Sequence, residues 1–195
     1  MNLIERGAEA EIYLEDDEII KKRTRKRYRH PEVDRYIREK RTKKEAQITS
    51  EVRKVGVPTP IILDIKDFII KFEYISGNKL KNVFHKLKEE DFKNIGKNIG
   101  KIHTKEVVHG DLTTSNILIS DKEIYFIDFG LSAHEVHVES RGIDLHVLFQ
   151  TIRSSHPSYE NRIKDIVSGY QEEFKDSEKV LNRVKEIERR GRYVD

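Results

Sequence analysis

The feature that most constrains this chain is an ordered set of polar residues in its second half. Asp111 follows His109-Gly110, Asn116 lies five residues later, and Asp128 stands twelve further on, before Phe129-Gly130. Between Asn116 and Asp128, Ile117 to Ile119 and Ile124 to Ile127 predict two short strands flanking a turn at Asp121-Lys122. Read singly, Asp111 makes an Asx-turn, Asn116 a cap and Asp128 a turn residue. The order, the spacing and the strand context together carry the signal. Carboxylate and amide oxygens set this way are hard donors of the kind magnesium prefers.

The rest of the chain has room for a modest fold around that feature. At 195 residues it suits one mid-sized domain or two small lobes folding as a unit. Ala10 to Leu14 and Glu18 to Arg23 predict strands around a turn at Asp16-Asp17. Pro31 opens a long helix to about Lys54, charged on one side and stopped by Gly56, Pro58 and Pro60. Strands follow at Ile61 to Ile65 and Phe68 to Phe72. Tyr74 to Asn78 is a linker, and the boundary is placed there: residues 1–75 as a β-rich N-terminal lobe, 76–195 as a helical C-terminal lobe. Asp91 opens a helix to about Lys105, whose Phe92, Ile95, Ile99 and Ile102 mark one buried face. Helices are expected at Ile143 to Ile152, Pro157 to Phe174 and Ser177 to Arg190.

Charge is unevenly placed. Residues 21–44 hold 13 Lys or Arg against three acids, a balance of +10, so a chain of net charge +3 carries −7 elsewhere. Such a block suits nucleic acid or an acidic protein face, and a solvated helix face carrying one functional lysine is the plainer reading. There is no Cys, hence no disulfide, and no apolar run approaches the roughly 18 residues that span a bilayer. The expectation is a cytoplasmic protein with no membrane partner.

ATP chemistry needs magnesium ligands, a Lys on the phosphates, a carboxylate that holds that Lys, and a further carboxylate at the nucleophile. The set from His109 to Gly130 matches the protein-kinase catalytic and magnesium loops in order and separation. The resemblance implies an α+β, minimal two-lobed protein-kinase-like fold: a small β-rich N-lobe with one long helix, a helical C-lobe and a truncated activation segment. In Glu18-Ile19-Ile20-Lys21-Lys22-Arg23 the two lysines point to opposite faces, and Lys21 fits the cleft. Glu45 on the following helix is its expected partner, with Glu39 the alternative. Asp111 is the expected catalytic residue. Asn116 and Asp128 are the expected metal ligands. The linker around Glu73, Tyr74 and Ile75 is expected to hold the adenine, so the cofactors are ATP and Mg2+.

The chain also departs from typical kinases. Gly7-Ala8-Glu9-Ala10 stands where a three-glycine phosphate loop is usual, and Glu9 brings negative charge toward phosphates. Either it points away or the free site is partly self-inhibited. Gly110 replaces an Arg that pairs with phosphorylated activation loops. Only 13 residues separate Gly130 from Asp144, with no Ala-Pro-Glu between them, so the peptide-docking platform is expected to be minimal. Asp144 is expected to brace the catalytic loop, as is His109, which performs no proton transfer on this reading.

Gly7-Ala8-Glu9-Ala10, Lys26-Arg27-Tyr28-Arg29-His30-Pro31, Arg41-Thr42-x-x-Glu45-Ala46 and the run from His109 to Asn116 together resemble the small atypical kinase/ATPase subunit of the KEOPS (EKC) complex, over nearly the whole chain. Generic kinases lack the Tyr-Arg-His-Pro block. The tail Arg189-Arg190-Gly191-Arg192 is similar to that family's arginine-rich C-terminus, although it continues as Tyr193-Val194-Asp195. The resemblance implies an ATPase within a complex that makes threonylcarbamoyladenosine at tRNA position 37, and serine/threonine kinase and autophosphorylation activity when isolated. It implies as partners the catalytic subunit of that complex, separate or fused, and the other KEOPS subunits. Contact with tRNA is expected through residues 21–44 and the tail. The runner-up is a free-standing RIO-like serine/threonine kinase. A pseudokinase is disfavoured by the intact Lys21, Asp111, Asn116 and Asp128.

Overall fold

The computed structural model describes residues 2–121 and 123–191. Three strands open the chain: β1 (Asn2–Arg6), β2 (Ala10–Glu15) and β3 (Glu18–Arg23). The β2–β3 turn runs through Asp16 and Asp17 at φ 48° and 60°, a left-handed conformation that Asp tolerates better than most side chains. The helix α1 (Pro31–Lys54) starts on its proline and ends before Gly56 at φ +80°. It is followed by β4 (Ile62–Lys66) and β5 (Ile69–Glu73), turning at Asp67. The five strands form one antiparallel sheet in the order β1-β2-β3-β5-β4.

After the linker come β6 (Asn78–Lys79), the short α2 (Leu80–Val83), α3 (Glu89–Thr104) and β7 (Val107–Val108). The hairpin β8 (Ile117–Ser120) and β9 (Glu123–Phe126) pairs with β6, and β10 (Ala133–His134) pairs with β7. Three helices finish the described chain: α4 (Val138–Ser155), α5 (Ile163–Glu173) and α6 (Ser177–Gly191). None of the described helices is long and apolar enough to cross a membrane.

Three expectations shift. Asp91 does not open α3. The helix begins two residues earlier, and the Asp91 side chain accepts the Lys88 N–H (2.7 Å), capping from its third position. α4 starts at Val138, not Ile143. The predicted helix from Pro157 to Phe174 splits, because residues 157–162 form a 3-10 segment with Tyr159 at φ −120° before α5 begins. Lys122 and residues 192–195 lie outside the described residues, and with them part of the Asp121-Lys122 turn and the end of the basic tail, Arg192 included.

Burial separates a small cluster under the sheet (Ala46, Ile70 and Phe72) from a large one that fills the helical part. α1 feeds both. Ala46 packs under the sheet, while Ile48 and Val52 join Ile99, Phe126, Phe129 and Leu148 in the large cluster. The helix that carries Glu45 is thereby fixed to both halves. α3 and α5 approach at glycines: a Cβ on Gly96 would overlap the Ile166 carbonyl, and one on Gly169 the Lys93 carbonyl.

Candidate active site

A cavity of about 410 Å³ lies between the five-stranded sheet and the helical part. Ile12, Ile19, Phe72, Leu118 and Ile127 give it apolar walls, and Lys21, Glu45, Asn116 and Asp128 supply its polar end. This combination of an apolar slot with a few convergent polar groups is the usual form of a small-molecule site.

The polar end is a charge cluster in which Lys21 and Glu45 are buried and Asp128 stands at the solvent-facing edge. Lys21 is on β3 and faces inward, while Lys22 is exposed, as the twofold strand period requires. Lys21 Nζ donates to Glu45 Oε1 at 2.6 Å and to Asp128 Oδ1 at 2.7 Å. Burial lowers the lysine pKa, but the two carboxylates outweigh it, and the net shift is upward. At Asp128 burial raises the pKa, the Lys21 charge outweighs that, and the net shift is downward. The pair is held ionised. Glu39, the alternative partner, instead makes an exposed i, i+4 pair with Arg35 at 2.9 Å.

Sequence reasoning missed Arg23. It is buried two residues beyond Lys21 on the same face of β3, and its Nη2 donates to Glu45 Oε2. Glu45, 1% exposed, therefore holds two cations. Strand period was the signal that could have found it. Asp128 sits at φ 62°, ψ 66° and accepts the Gly130 N–H at 3.1 Å. A Cβ on Gly130 would come within 2.9 Å of Asp128 Oδ1 and 3.2 Å of Arg23 Nη2.

The loop before β8 is braced from below. His103 of α3 and Asp144 of α4, both buried, meet there. Asp144 accepts the backbone N–H of His109 (2.5 Å) and of Gly110 (2.8 Å), and lies 3.4 Å from His103 Nε2. Burial raises the Asp144 pKa, and His103 with its neighbours more than offsets this, so it stays below the carboxylate norm. Gly110 takes φ +81°, and a Cβ there would overlap the Leu131 carbonyl. His109 Nε2 donates to the Ile127 carbonyl (3.0 Å) and its Nδ1 accepts the Asp111 N–H (3.4 Å), a pattern met by the tautomer protonated on Nε2. Its two nitrogens are spent on the loop. Asn116 Nδ2 donates to both the backbone carbonyl (2.8 Å) and the carboxylate (2.9 Å) of Asp111. The Ile127 N–H donates to the Asn116 carbonyl (3.0 Å), which sets Asn116 beside Asp128.

Other expected residues fall differently. Asp111, Gly7, Ala8, Glu9 and Ala10 do not line the cavity. Glu9 is drawn away to Arg41 Nη1 (2.8 Å) and toward Lys26, whose Nζ also donates to the Ala8 carbonyl. Cations of α1 and its preceding loop thus engage the β1–β2 turn at Glu9 and Ala8. Glu73, Tyr74 and Ile75 do line the cavity, but two of their amides are committed. Glu73 N–H donates to Ile61 O (2.9 Å) and Tyr74 N–H to Asp17 O (3.0 Å). Six residues, 132–137, separate the 3-10 turn Phe129–Leu131 from α4, and β10 uses two of them.

Residues 9–166 match the RIO domain. The chain is 44% identical over 197 residues to a probable bifunctional tRNA threonylcarbamoyladenosine biosynthesis protein of Methanosarcina mazei, covering 98% of this chain but spanning only 36% of that protein. It is 40% identical to the KEOPS complex subunit Bud32 of Pyrococcus abyssi, over 99% of this chain and 96% of that one. Among solved structures, the Rio2 kinase of Chaetomium thermophilum in complex with ADP/Mg2+ and phosphoaspartate shares the fold, with TM-score 0.65 at 14% identity over 100% of this chain and 72% of that one. With a β-sheet N-lobe, a helical C-lobe and these relatives, the chain belongs to the RIO-domain family of atypical kinases, in its Bud32 group.

Proposed function

We propose that the chain binds ATP with magnesium in the cavity and transfers or hydrolyses the terminal phosphoryl group in support of threonylcarbamoyladenosine formation at tRNA position 37, as a subunit or fused domain of a KEOPS complex. The observation that carries the reading is the meeting of Lys21, Glu45, Asn116 and Asp128, from four separate stretches, at one end of an apolar slot. The names of the Methanosarcina and Pyrococcus relatives support the process and the assembly.

Residues 1–75 would supply the slot's roof and the Lys21–Glu45 pair, and residues 76–195 the catalytic and magnesium loops. The apolar walls take the adenine. With the amides of Glu73 and Tyr74 already committed, the linker contact falls to Ile75 and to backbone carbonyls. Lys21, held by Glu45, neutralises phosphate oxygens. Asn116 and Asp128 fit magnesium: two hard-oxygen side chains lie at one end of the slot. That matches an ion that keeps few protein ligands and shares the substrate's phosphates. Bound there, magnesium would offset phosphate charge. Asp111 lies beside the slot, its carboxylate held at 2.9 Å by the lining Asn116, and from there would orient the attacking water or hydroxyl and accept its proton. Positioning and charge stabilisation then account for the rate.

A free-standing serine/threonine kinase is the second reading, favoured by the RIO domain match. ATP turnover and autophosphorylation, measured with and without tRNA and the catalytic partner, separate the two. Turnover that rises with both additions supports the proposal, and turnover indifferent to them supports the free-standing kinase. Asp111→Ala and Asp128→Ala should each lose at least about 100-fold in turnover. Wild-type rates in both would sink the mechanism. Charge reversal of Arg189, Arg190 and Arg192 should weaken tRNA binding, and unchanged binding removes the tail from the interface.

A further inference from the structure

The segment from Arg25 to Lys40 combines solvent-facing aromatic rings with cations that have no acidic partner. Tyr28 is 78% exposed and Tyr36 63%, the most exposed tyrosines among the described residues. Each has a cation near its ring: the Arg29 guanidinium lies 5.3 Å from the Tyr28 centroid and Lys40 Nζ 5.8 Å from that of Tyr36. Arg25 and Arg27 are exposed and enter none of the ion pairs among the described residues. Neighbouring cations behave otherwise, with Arg35 on Glu39, Arg38 on Asp34 and Arg41 on Glu9.

The surface is held in shape. Asp34, 0% exposed, accepts the Lys26 N–H at 3.0 Å and Arg38 Nε at 2.7 Å, while its own N–H donates to the His30 carbonyl at 2.9 Å. One buried carboxylate thus ties the loop carrying Arg25, Arg27 and Tyr28 to the first two turns of α1. Tyr36 and Lys40 are one turn apart on the solvent side of that helix. Tyr36 is about 9 Å along the axis from His30, at 1.5 Å per residue. Beyond these two cation contacts the rings enter no hydrogen bond or ring pair among the described residues. Exposed rings on one segment with unneutralised guanidinium groups have the chemistry that unpaired nucleotides need, with faces for bases and charges for phosphates. An acidic protein patch would call for the charges but not for the exposed rings.

We propose that Tyr28 and Tyr36 are a stacking platform for unpaired RNA bases, with Arg25 and Arg27 on the adjoining phosphates. The proposal rests on the tRNA reading above and narrows it: this face takes single-stranded nucleotides and not the duplex stems.

The test uses the full chain, a tRNA transcript, a 12-nucleotide single-stranded RNA and a duplex of the same sequence, read by fluorescence anisotropy across a salt series. Tyr28→Ala and Tyr36→Ala should each weaken single-strand binding at least about fivefold, the low end for one lost base stack. The slope of log affinity against log salt should stay unchanged in both. Tyr28→Phe and Tyr36→Phe should bind like the wild type, because the ring suffices. Arg25→Ala and Arg27→Ala should reduce the slope by about 0.7 for each phosphate that the arginine neutralises. Exposed as they are, these side chains should leave the melting temperature unchanged, so weakened binding reports the surface. Alanine variants that bind tRNA and single strand like the wild type, or a duplex that competes as well as the single strand, overturn the platform alone. A wild-type chain that binds none of the three RNAs overturns the platform and the tRNA reading together, and points this face to an acidic protein.

Discussion

Glu45→Ala tests the site at its structural centre. The carboxylate is 1% exposed and receives Lys21 at 2.6 Å and the buried Arg23. Removing one member of a buried ionic cluster typically costs about 3–5 kcal/mol, because the remaining charge stays desolvated without compensation. The two cations are not equally affected. Lys21 keeps Asp128 at 2.7 Å. Arg23 loses its acceptor, and its Nε already has no partner. The loss therefore falls mainly on Arg23. For a chain of this length about 2–4 °C accompanies each kcal/mol, so the melting temperature should fall by roughly 6–20 °C. Adding Arg23→Met removes the stranded guanidinium. The Arg23→Met/Glu45→Ala variant should then be more stable than the sum of the single losses by about 0.5–3 kcal/mol. Calorimetry or a dye melt on the four proteins reads the cycle. A Glu45→Ala chain melting within about 2 °C of wild type, or a double variant showing the full sum, would refute the reasoning.

Glu39→Ala removes only an exposed pair and should shift stability by less than about 0.5 kcal/mol in the same melts. Gly169→Ala places a methyl group on the Lys93 carbonyl at the α3–α5 contact, and should cost about 1–3 kcal/mol or more by denaturant titration. The pH dependence should include His103. Burial holds its pKa below the ordinary 6.5 despite the opposing pull of Asp144. Between that depressed value and about 6.5 the unfolded chain binds a proton that the folded chain refuses, so stability falls as the pH drops through this window. Denaturant midpoints at pH 7 and 5.5 should show the loss, and His103→Gln should flatten it. Asp34→Ala should free the loop that carries Tyr28, visible as faster hydrogen exchange at the Lys26 amide.

Much of the molecule was legible because its signals are local. Asp16-Asp17, Pro31 and Gly56 punctuate the chain through their own backbone preferences, and the apolar spacing of α3 states which face is buried. The spacing of Asp111, Asn116 and Asp128 raised the metal-ligand expectation for a similar reason: a loop followed by a tight hairpin leaves few ways to arrange the three.

Relations across the sequence needed the fold. Glu39 and Glu45 are six residues apart, about 240° around a helix. Either could be written as the Lys21 partner until the seating of Ile48 and Val52 fixed the rotation of α1. Arg23 looked like one cation in a basic run, and only packing shows it buried on Glu45. The direction of Glu9, the committed amides of Glu73 and Tyr74, and the His109 tautomer each depend on a partner at least a dozen residues away. By itself, then, the sequence determined most of the long elements, the family resemblance and the chemical types proposed for the site. The tertiary structure decided which charges meet, because a buried charge is tolerated only where another segment of the chain brings its counterpart within hydrogen-bond distance.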